Sequence, residues 1–208
     1  MVTAGSRGSA LAAALGFRAH TGWAALVVVV GGVAQPEILF RGRVELGDPA
    51  GRVRRNAYQA ARGMELAEAA ALIEAAERIA AEQATAGLRR TLGDVRDKGA
   101  VVRACGVVVG ALPGRARLES ILASHALAHA AEGQLYQRAL LQSAQSRGLD
   151  TVAVPKRLIW EEGETALGVA RDELRHWIDQ LRRELGPPWA QDQKLAALAA
   201  WIALARAS

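Results

Sequence analysis

Two apolar runs rich in valine constrain the fold more than any other feature of this sequence. Residues 23–30 and residues 100–110 carry almost no polar side chains, so neither run alternates between polar and apolar residues. Strands of this kind are buried on both faces, which is typical of the centre of a sheet covered by helices. The sequence therefore predicts an α/β protein in which these two runs are central strands.

The segments around these runs predict the rest of the sheet. Residues 13–19 are mostly apolar and end at a tight turn, where Gly22 frees the backbone, and residues 37–46 alternate as a more exposed strand does. Together with residues 23–30, these two segments are predicted to form an antiparallel meander of three strands. Further elements are predicted as helices over residues 56 or 64 to 95, 118–147, 165–185 and 192–205, and a short strand over 149–154. The order predicts a mixed five-stranded sheet, with the three-strand meander plus two parallel strands and helices on both faces.

Length and composition indicate one domain of an intracellular type. A chain of 208 residues can bury one substantial core, so residues 9–208 are predicted to form a single domain behind a disordered leader at residues 1–8. No apolar run approaches the roughly 20 residues that a membrane span needs. The single cysteine, Cys105, lies in an apolar run, which predicts a small core residue and leaves no internal disulfide. We therefore expect a cytoplasmic protein without a membrane span.

Several short stretches, taken in chain order, resemble those of a known fold family. Residues 15–24 read Leu-Gly-Phe-Arg-Ala-His-Thr-Gly-Trp-Ala, which resembles an opening strand and its glycine turn. An Ala-Arg-Gly helix segment of the family is similar to residues 130–133, and its Pro-x-x-Val-Lys stretch is similar to residues 154–156. The closing Asp-x-x-Asp-Ala-Leu-Ala helix is similar to residues 192–198. With the order of elements, they make the chain similar to the ribonuclease H-like superfamily, and in particular to RuvC-type Holliday-junction resolvases.

The resemblance implies a fold, but the chain departs from the family at the active site. The family hydrolyses phosphodiesters with two divalent ions held by clustered carboxylates. In this chain the first carboxylate position falls on Arg18, and the second falls near Gly110 and Ala111. Of the closing pair, Asp192 is present and its partner position falls on Leu195. One acid beside a guanidinium cannot hold two divalent cations, so we expect two-metal nuclease activity to be absent.

The predicted helix over residues 118–147 carries the candidates for a different chemistry. His125, His129 and Glu132 fall on one stripe of this helix, together with apolar residues that should face the sheet. Their spacing lets two imidazoles and a carboxylate converge on one divalent ion such as zinc, manganese or iron. Arg18 and His20, which lie at the end of the first strand, could approach this cluster as further catalytic residues beside Glu132 and Asp192.

The same residues also fit a purely structural network. Buried polar groups are usually satisfied by hydrogen bonds, so His129 could pair with Glu132, and His125 with Tyr136 or a backbone carbonyl. Arg18 could neutralise Glu132 in a buried ion pair. The sequence leaves the metal site and the network open.

The charge of the chain favours an anionic partner. The net charge is +5, and arginine supplies most of the positive side chains. Basic loops can bind the phosphates of DNA or RNA, although the same arginines can simply be solvated. Two clusters stand out in loops: Arg52, Arg54 and Arg55, and then Arg115 and Arg117. The resemblance to RuvC-type proteins further implies a homodimer.

These observations support three hypotheses. The first is a nucleic-acid-associated protein on a ribonuclease H-like scaffold that is degenerate for two-metal cleavage. The second is a metal-dependent hydrolase centred on His125, His129 and Glu132, and the third is a non-catalytic structural or interaction protein.

Overall fold

A five-stranded mixed sheet forms the centre of the molecule. The computed structural model describes residues 10–110 and 116–207. The strands lie in the order β3-β2-β1-β4-β5, with β1 antiparallel to β2, β2 antiparallel to β3, and β4 and β5 parallel to β1. They span Leu11–His20 (β1), Trp23–Gly32 (β2), Gln35–Glu45 (β3), Ala100–Val109 (β4) and Asp150–Pro155 (β5). The predicted architecture of a three-strand meander plus two parallel strands is confirmed.

Helices cover both faces of the sheet, as predicted. One layer contains α1, α2, α3 and α4, and the other contains α5, α6 and α7. Their bounds are Ala57–Ala60 (α1), Leu66–Asp97 (α2), Leu118–Ala123 (α3), His125–Gln145 (α4), Ile159–Leu167 (α5), Arg171–Leu185 (α6) and Gln191–Arg206 (α7). Because successive strand residues point to opposite faces, Leu15 and Phe17 of β1 pack towards α2 and α4, whereas Ala14 and Gly16 face α7.

The helix α7 lies unusually close to the two central strands. A Cβ atom at Gly16 would stand 1.8 Å from the carbonyl oxygen of Ala196, and one at Gly106 would stand 2.1 Å from that of Ala199. Two glycines on adjacent parallel strands therefore let the helix backbone approach the sheet. This approach fixes where the first turn of α7, which contains Asp192, lies relative to the end of β1.

The predicted helix over residues 118–147 is wrong as a single element. Ser124 adopts an extended conformation with φ −110° and ψ 121°, and its hydroxyl accepts a hydrogen bond from the Leu127 amide at 3.3 Å. Serine is a favoured N-cap because its side chain satisfies a free amide at the start of a helix. The segment therefore forms two helices, α3 and α4, and residues before Ser124 do not continue the helical stripe of those after it.

Other helix boundaries also differ from those predicted. The long helix begins at Leu66, after the separate short helix α1. The predicted helix over residues 165–185 is two helices, because Gly168 takes a positive φ of 65° between α5 and α6. In the ranges that the structure describes, no helix is long and apolar enough to cross a membrane. The leader predicted at residues 1–8 lies outside those ranges.

Candidate functional site

The end of β1 brings two of the predicted catalytic residues to one face of the sheet. Arg18 and His20 are two positions apart in the strand, so both side chains point towards the layer that contains α7. The strand ends there because the chain turns at Gly22, which has a φ of +83°. The turn sets His20 directly opposite Trp23 in the antiparallel register.

His20 contacts the predicted catalytic acid of α7. Its Nε2 lies 3.0 Å from Oδ1 of Asp192, and both side chains are 32% exposed. The distance is that of an ion pair when His20 is protonated, but this buried nitrogen does not meet hydrogen-bond geometry with any residue of the described ranges. This contact joins the end of β1 to the start of α7.

An aromatic and cationic stack holds the His20 ring from the other side. The rings of His20 and Trp23 are stacked, with centroids 4.4 Å apart and planes 12° from parallel. The guanidinium carbon of Arg43 lies 4.1 Å from the centroid of the Trp23 ring. Stacking and cation–π attraction thus order three side chains, one from each strand of the meander.

Arg18 occupies the position where the resemblance places the first carboxylate. Its Nη1 donates a hydrogen bond to the carbonyl oxygen of Ala19 at 2.9 Å. Its Nε is buried and has no partner among the described residues, and no carboxylate there forms an ion pair with it. Near the end of β1, this face therefore carries a guanidinium that forms no ion pair with the residues that the structure describes. The second carboxylate position includes Ala111, which lies outside the described ranges, and Gly110, which has no side chain.

A basic rim continues this surface beyond the hairpin turn. The aliphatic part of Arg55 packs over Gly22 and Gly47, where Cβ atoms would stand within about 3 Å of it. Its Nη2 lies 4.0 Å from Oε2 of Glu45, whose other oxygen contacts Arg43. We call this region the strand-end surface, and define it as Arg18, His20, Trp23, Arg43, Arg55 and Asp192.

The loop that carries Arg55 is fixed by Asp48. Its carboxylate accepts hydrogen bonds from the amides of Ala50 at 2.9 Å, Arg52 at 2.8 Å and Val53 at 3.0 Å. These backbone hydrogen bonds, that of Ala50 first, lower the pKa of Asp48 from its ordinary value. The charged carboxylate therefore orders the loop, and with it the predicted arginine cluster.

Glu132, the other predicted catalytic acid, lies on the opposite face of the sheet. Its side chain is only 2% exposed, and Oε2 accepts hydrogen bonds from the amides of Tyr58 at 3.0 Å and Gln59 at 3.4 Å. It thereby caps the four-residue helix α1 from a different helix, since Asn56 makes no side-chain cap. Burial raises the pKa of Glu132 to about 7, against the backbone hydrogen bonds that lower it.

The structure does not bring together His125, His129 and Glu132. Both histidines are exposed, and Nδ1 of His125 lies 3.2 Å from Nη1 of Arg62. Within the described residues, no group of three or more His, Cys, Asp or Glu side chains is arranged to hold a metal ion. All three residues lie in α4, but its first turns leave both histidines exposed, whereas Glu132 further along the same helix is buried.

The predicted structural network also needs correction. Arg18 cannot neutralise Glu132, because the two side chains lie on opposite faces of the sheet. Tyr136 donates its hydroxyl hydrogen bond to the carbonyl oxygen of Arg55 rather than to His125. Burial, with the charge of Glu132 as a smaller cause, raises the pKa of this tyrosine.

The structure adds two side chains that the sequence did not single out, Trp23 and Arg43, and brings Arg55 of the predicted arginine cluster beside them. Trp23, Arg43 and Arg55 join His20 because of the strand register and the position of one loop. The signal for Trp23 was present in the sequence, since a short turn after His20 puts the next strand's first residue opposite it. Arg43 had no comparable signal, because the alternation of residues 37–46 indicated only that one face of this strand is exposed.

Comparison with known proteins gives structural likenesses only. No protein-family model and no curated protein sequence matches the chain. A solved structure described as T. thermophilus RuvC in complex with Holliday junction substrate is similar over 93% of this chain and 90% of that one, with a TM-score of 0.48 and 17% identity. A second, the Thermus thermophilus RuvC structure, is similar over 91% and 92% with a TM-score of 0.46 and 16% identity. At these identities the likeness concerns the path of the backbone and says nothing about which residues act.

Proposed function

We propose that this chain binds nucleic acid through the strand-end surface and does not cleave it by a two-metal mechanism. The observation that carries the proposal is the guanidinium of Arg18, which lies at the end of the central strand on the same face as the contact of His20 with Asp192. A cation at this position attracts a phosphate group and repels a divalent metal ion.

The charges around Arg18 favour a polyanion. Arg43 and Arg55 are exposed on the same surface, and they share one acid, Glu45. The neighbouring loop adds the exposed side chains of Arg52 and Arg54. Lysine and arginine contacts with phosphates supply most of the sequence-independent affinity of nucleic-acid-binding proteins.

The absence of a two-metal mechanism is inferred from the carboxylates of this surface that the structure describes, which are not grouped to hold a metal ion. Asp192 is held against His20, and Glu45 is held between Arg43 and Arg55. Two-metal hydrolysis requires several free carboxylates that bridge two ions about 4 Å apart. We infer that cleavage through two bound metals is absent.

The aromatic stack indicates how the surface would read its ligand. The Trp23 ring is stacked on His20, and the guanidinium of Arg43 lies over the Trp23 ring as well. The indole is therefore already occupied and is not free for a base to stack on. Phosphate contacts position a nucleic acid without reading its sequence. We therefore infer recognition of backbone shape, with weak preference for base sequence.

Fluorescence anisotropy against labelled four-way junctions, duplexes and single strands of DNA and RNA tests the proposal. We expect binding whose affinity falls steeply with salt concentration, and no cleavage of any of these substrates in added Mg²⁺ or Mn²⁺. Absence of salt-dependent binding to all of them would contradict the binding proposal. Metal-dependent cleavage that Asp192→Asn abolishes would contradict the claim about the mechanism.

A further inference from the structure

An open cavity lies at the other end of the sheet from the strand-end surface. It has a volume of about 590 Å³ and is lined by the turn between β2 and β3, the end of α5, and helices α6 and α7. The turn joins the far ends of β2 and β3, so this cavity is separate from His20 and its neighbours. Its volume is within the range of small-molecule sites in proteins, roughly 300–1,000 Å³.

Two tryptophans form an aromatic wall of this cavity. Trp201 is 4% exposed, and its indole N–H donates a hydrogen bond to the carbonyl oxygen of Val33 at 2.8 Å. Trp177 is partly exposed, with its ring centroid 4.5 Å from that of Trp201 and the planes tilted by 48°. The buried, hydrogen-bonded ring thus supports the exposed one, which remains available to a ligand.

The charges on the cavity are negative. Glu37 and Glu173 are its charged lining residues, and neither forms an ion pair within the described part of the chain. An adjoining cavity of about 380 Å³ shares Glu37 and Trp177 and adds Glu184, which is also unpaired there. The described lining of both cavities has no basic side chain, and the guanidinium of Arg41 beside the smaller one is bound to the carbonyl oxygens of Leu185, Gly186 and Pro187. The lining carboxylates therefore favour a cation.

We propose that this cavity binds an organic cation with a methylated ammonium group. The apolar lining of Val33, Pro36, Leu167 and Val169 suits methyl groups better than it suits a strongly hydrated ammonium ion. The face of Trp177 supplies cation–π attraction, and the glutamates supply the opposite charge. The group could belong to a free small molecule or to a methylated lysine of a protein, since both present the same chemistry. The proposal does not depend on nucleic-acid binding.

Titration of the full chain with tetramethylammonium, with tert-butanol as a neutral compound of similar shape, tests the proposal. We expect tetramethylammonium to cause a saturable change in tryptophan fluorescence and in the indole N–H resonance of Trp177, and tert-butanol to cause none. A peptide with trimethyllysine, compared with its unmethylated form, separates the two sources. Tighter binding of the methylated peptide than of tetramethylammonium assigns the site to a protein side chain, and weaker or equal binding assigns it to a free cation.

Three variants connect the response to the cavity. We expect Trp177→Leu to weaken tetramethylammonium binding about tenfold and Glu173→Gln to weaken it several-fold. Glu68→Gln, an exposed glutamate of α2 in the helix layer across the sheet, is the matched control and should leave the affinity unchanged. Because Glu173 is exposed, its variant tests the site even if Trp177→Leu destabilises the fold. Equal responses to both probes, no saturable response, or equal affinities of the Glu173→Gln variant and the parent protein would overturn the proposal.

Discussion

Nε2 of His20, the last residue of the central strand, lies 3.0 Å from Oδ1 of Asp192 in the first turn of the final long helix. About 170 residues of chain separate the two, so the contact depends on the docking of α7. A partly exposed pair of this kind contributes little to stability, because water screens the charges. In a double-mutant cycle of His20→Gln and Asp192→Asn, we expect a coupling energy of about 0.2–1 kcal/mol at pH 6, measured by urea unfolding. A coupling of several kcal/mol would show that the pair is a principal support of α7.

The close packing of α7 against β1 predicts that one methyl group added at Gly16 destabilises the fold severely. Gly16→Ala places a Cβ 1.8 Å from the carbonyl oxygen of Ala196, a backbone atom that cannot rotate away. We expect a loss of at least about 3 kcal/mol in the free energy of unfolding, as for strong overpacking of a core. Gly42→Ala on the edge strand β3 is the matched control, since no atom lies within 4 Å of its new Cβ. Equal stability of the two variants in urea unfolding would refute the close approach of α7.

The buried carboxyl of Glu132 predicts a pH-dependent contribution to stability. Its pKa rises from 4.5 in the unfolded chain to about 7 in the fold, mainly because burial disfavours the charged form. The folded state therefore holds the proton more tightly, so the contribution is largest below pH 4.5 and is lost as the pH rises to about 7. The difference in unfolding free energy between the parent protein and Glu132→Gln should fall by at most about 3 kcal/mol over this interval.

Urea unfolding of both proteins between pH 4 and pH 8 measures this difference. Glu74→Gln, an exposed glutamate of α2, serves as the control and should show no comparable slope. A difference that rises with pH over the same interval would mean that the hydrogen bonds from Tyr58 and Gln59 outweigh burial.

The exposed arginines of the strand-end surface predict a change in salt dependence. If Arg43 and Arg55 contact phosphates, then Arg43→Gln and Arg55→Gln should each lower the slope of log affinity against log salt by about 1. Arg90→Gln is the matched control, because Arg90 is exposed on α2 in the helix layer on the opposite side of the sheet. Anisotropy titrations at several salt concentrations give these slopes, and an equal reduction by all three variants would indicate binding by net charge alone.

The burial of the single cysteine predicts that its thiol is unreactive in the folded protein. Cys105 is fully buried in β4, and desolvation raises the pKa of its thiol to about 12. The thiolate is the reactive form, so an aromatic disulfide reagent should not modify the native protein at pH 8. The unfolded chain in guanidinium chloride should react completely, which is the control. Rapid modification without denaturant would show that β4 opens locally.

The sheet could be predicted from the sequence because its signal is local. Two segments, residues 23–30 and 100–110, are apolar without alternation, and the structure has strands β2 and β4 there, as predicted. The third strand alternated, and it lies at the edge of the sheet as β3. Handedness and sterics restrict how such strands can connect, so the order of elements was enough to predict the mixed sheet.

The placement of the polar residues could not be predicted in the same way. A helical wheel assigned His125 and His129 to the same side as Glu132, yet the first turns of α4 are exposed on this side and only Glu132 is buried. Glu132 was recognised as important, but its role depends on the amides of α1, about 74 positions earlier in the chain. Periodicity describes one helix at a time, whereas a cap supplied by another helix depends on packing.

The amino-acid order by itself determined which segments are buried strands, which are largely helical, and that the apolar first strand carries an arginine, Arg18, near its end. These properties follow from side-chain polarity along a local stretch of chain. Only the tertiary structure decided that Arg18 and His20 share a face with Asp192 and that Glu132 lies behind the sheet. The physical reason is that two glycines, Gly16 and Gly106, admit α7 to backbone contact with the sheet, and this fit is a property of surfaces that are distant in sequence.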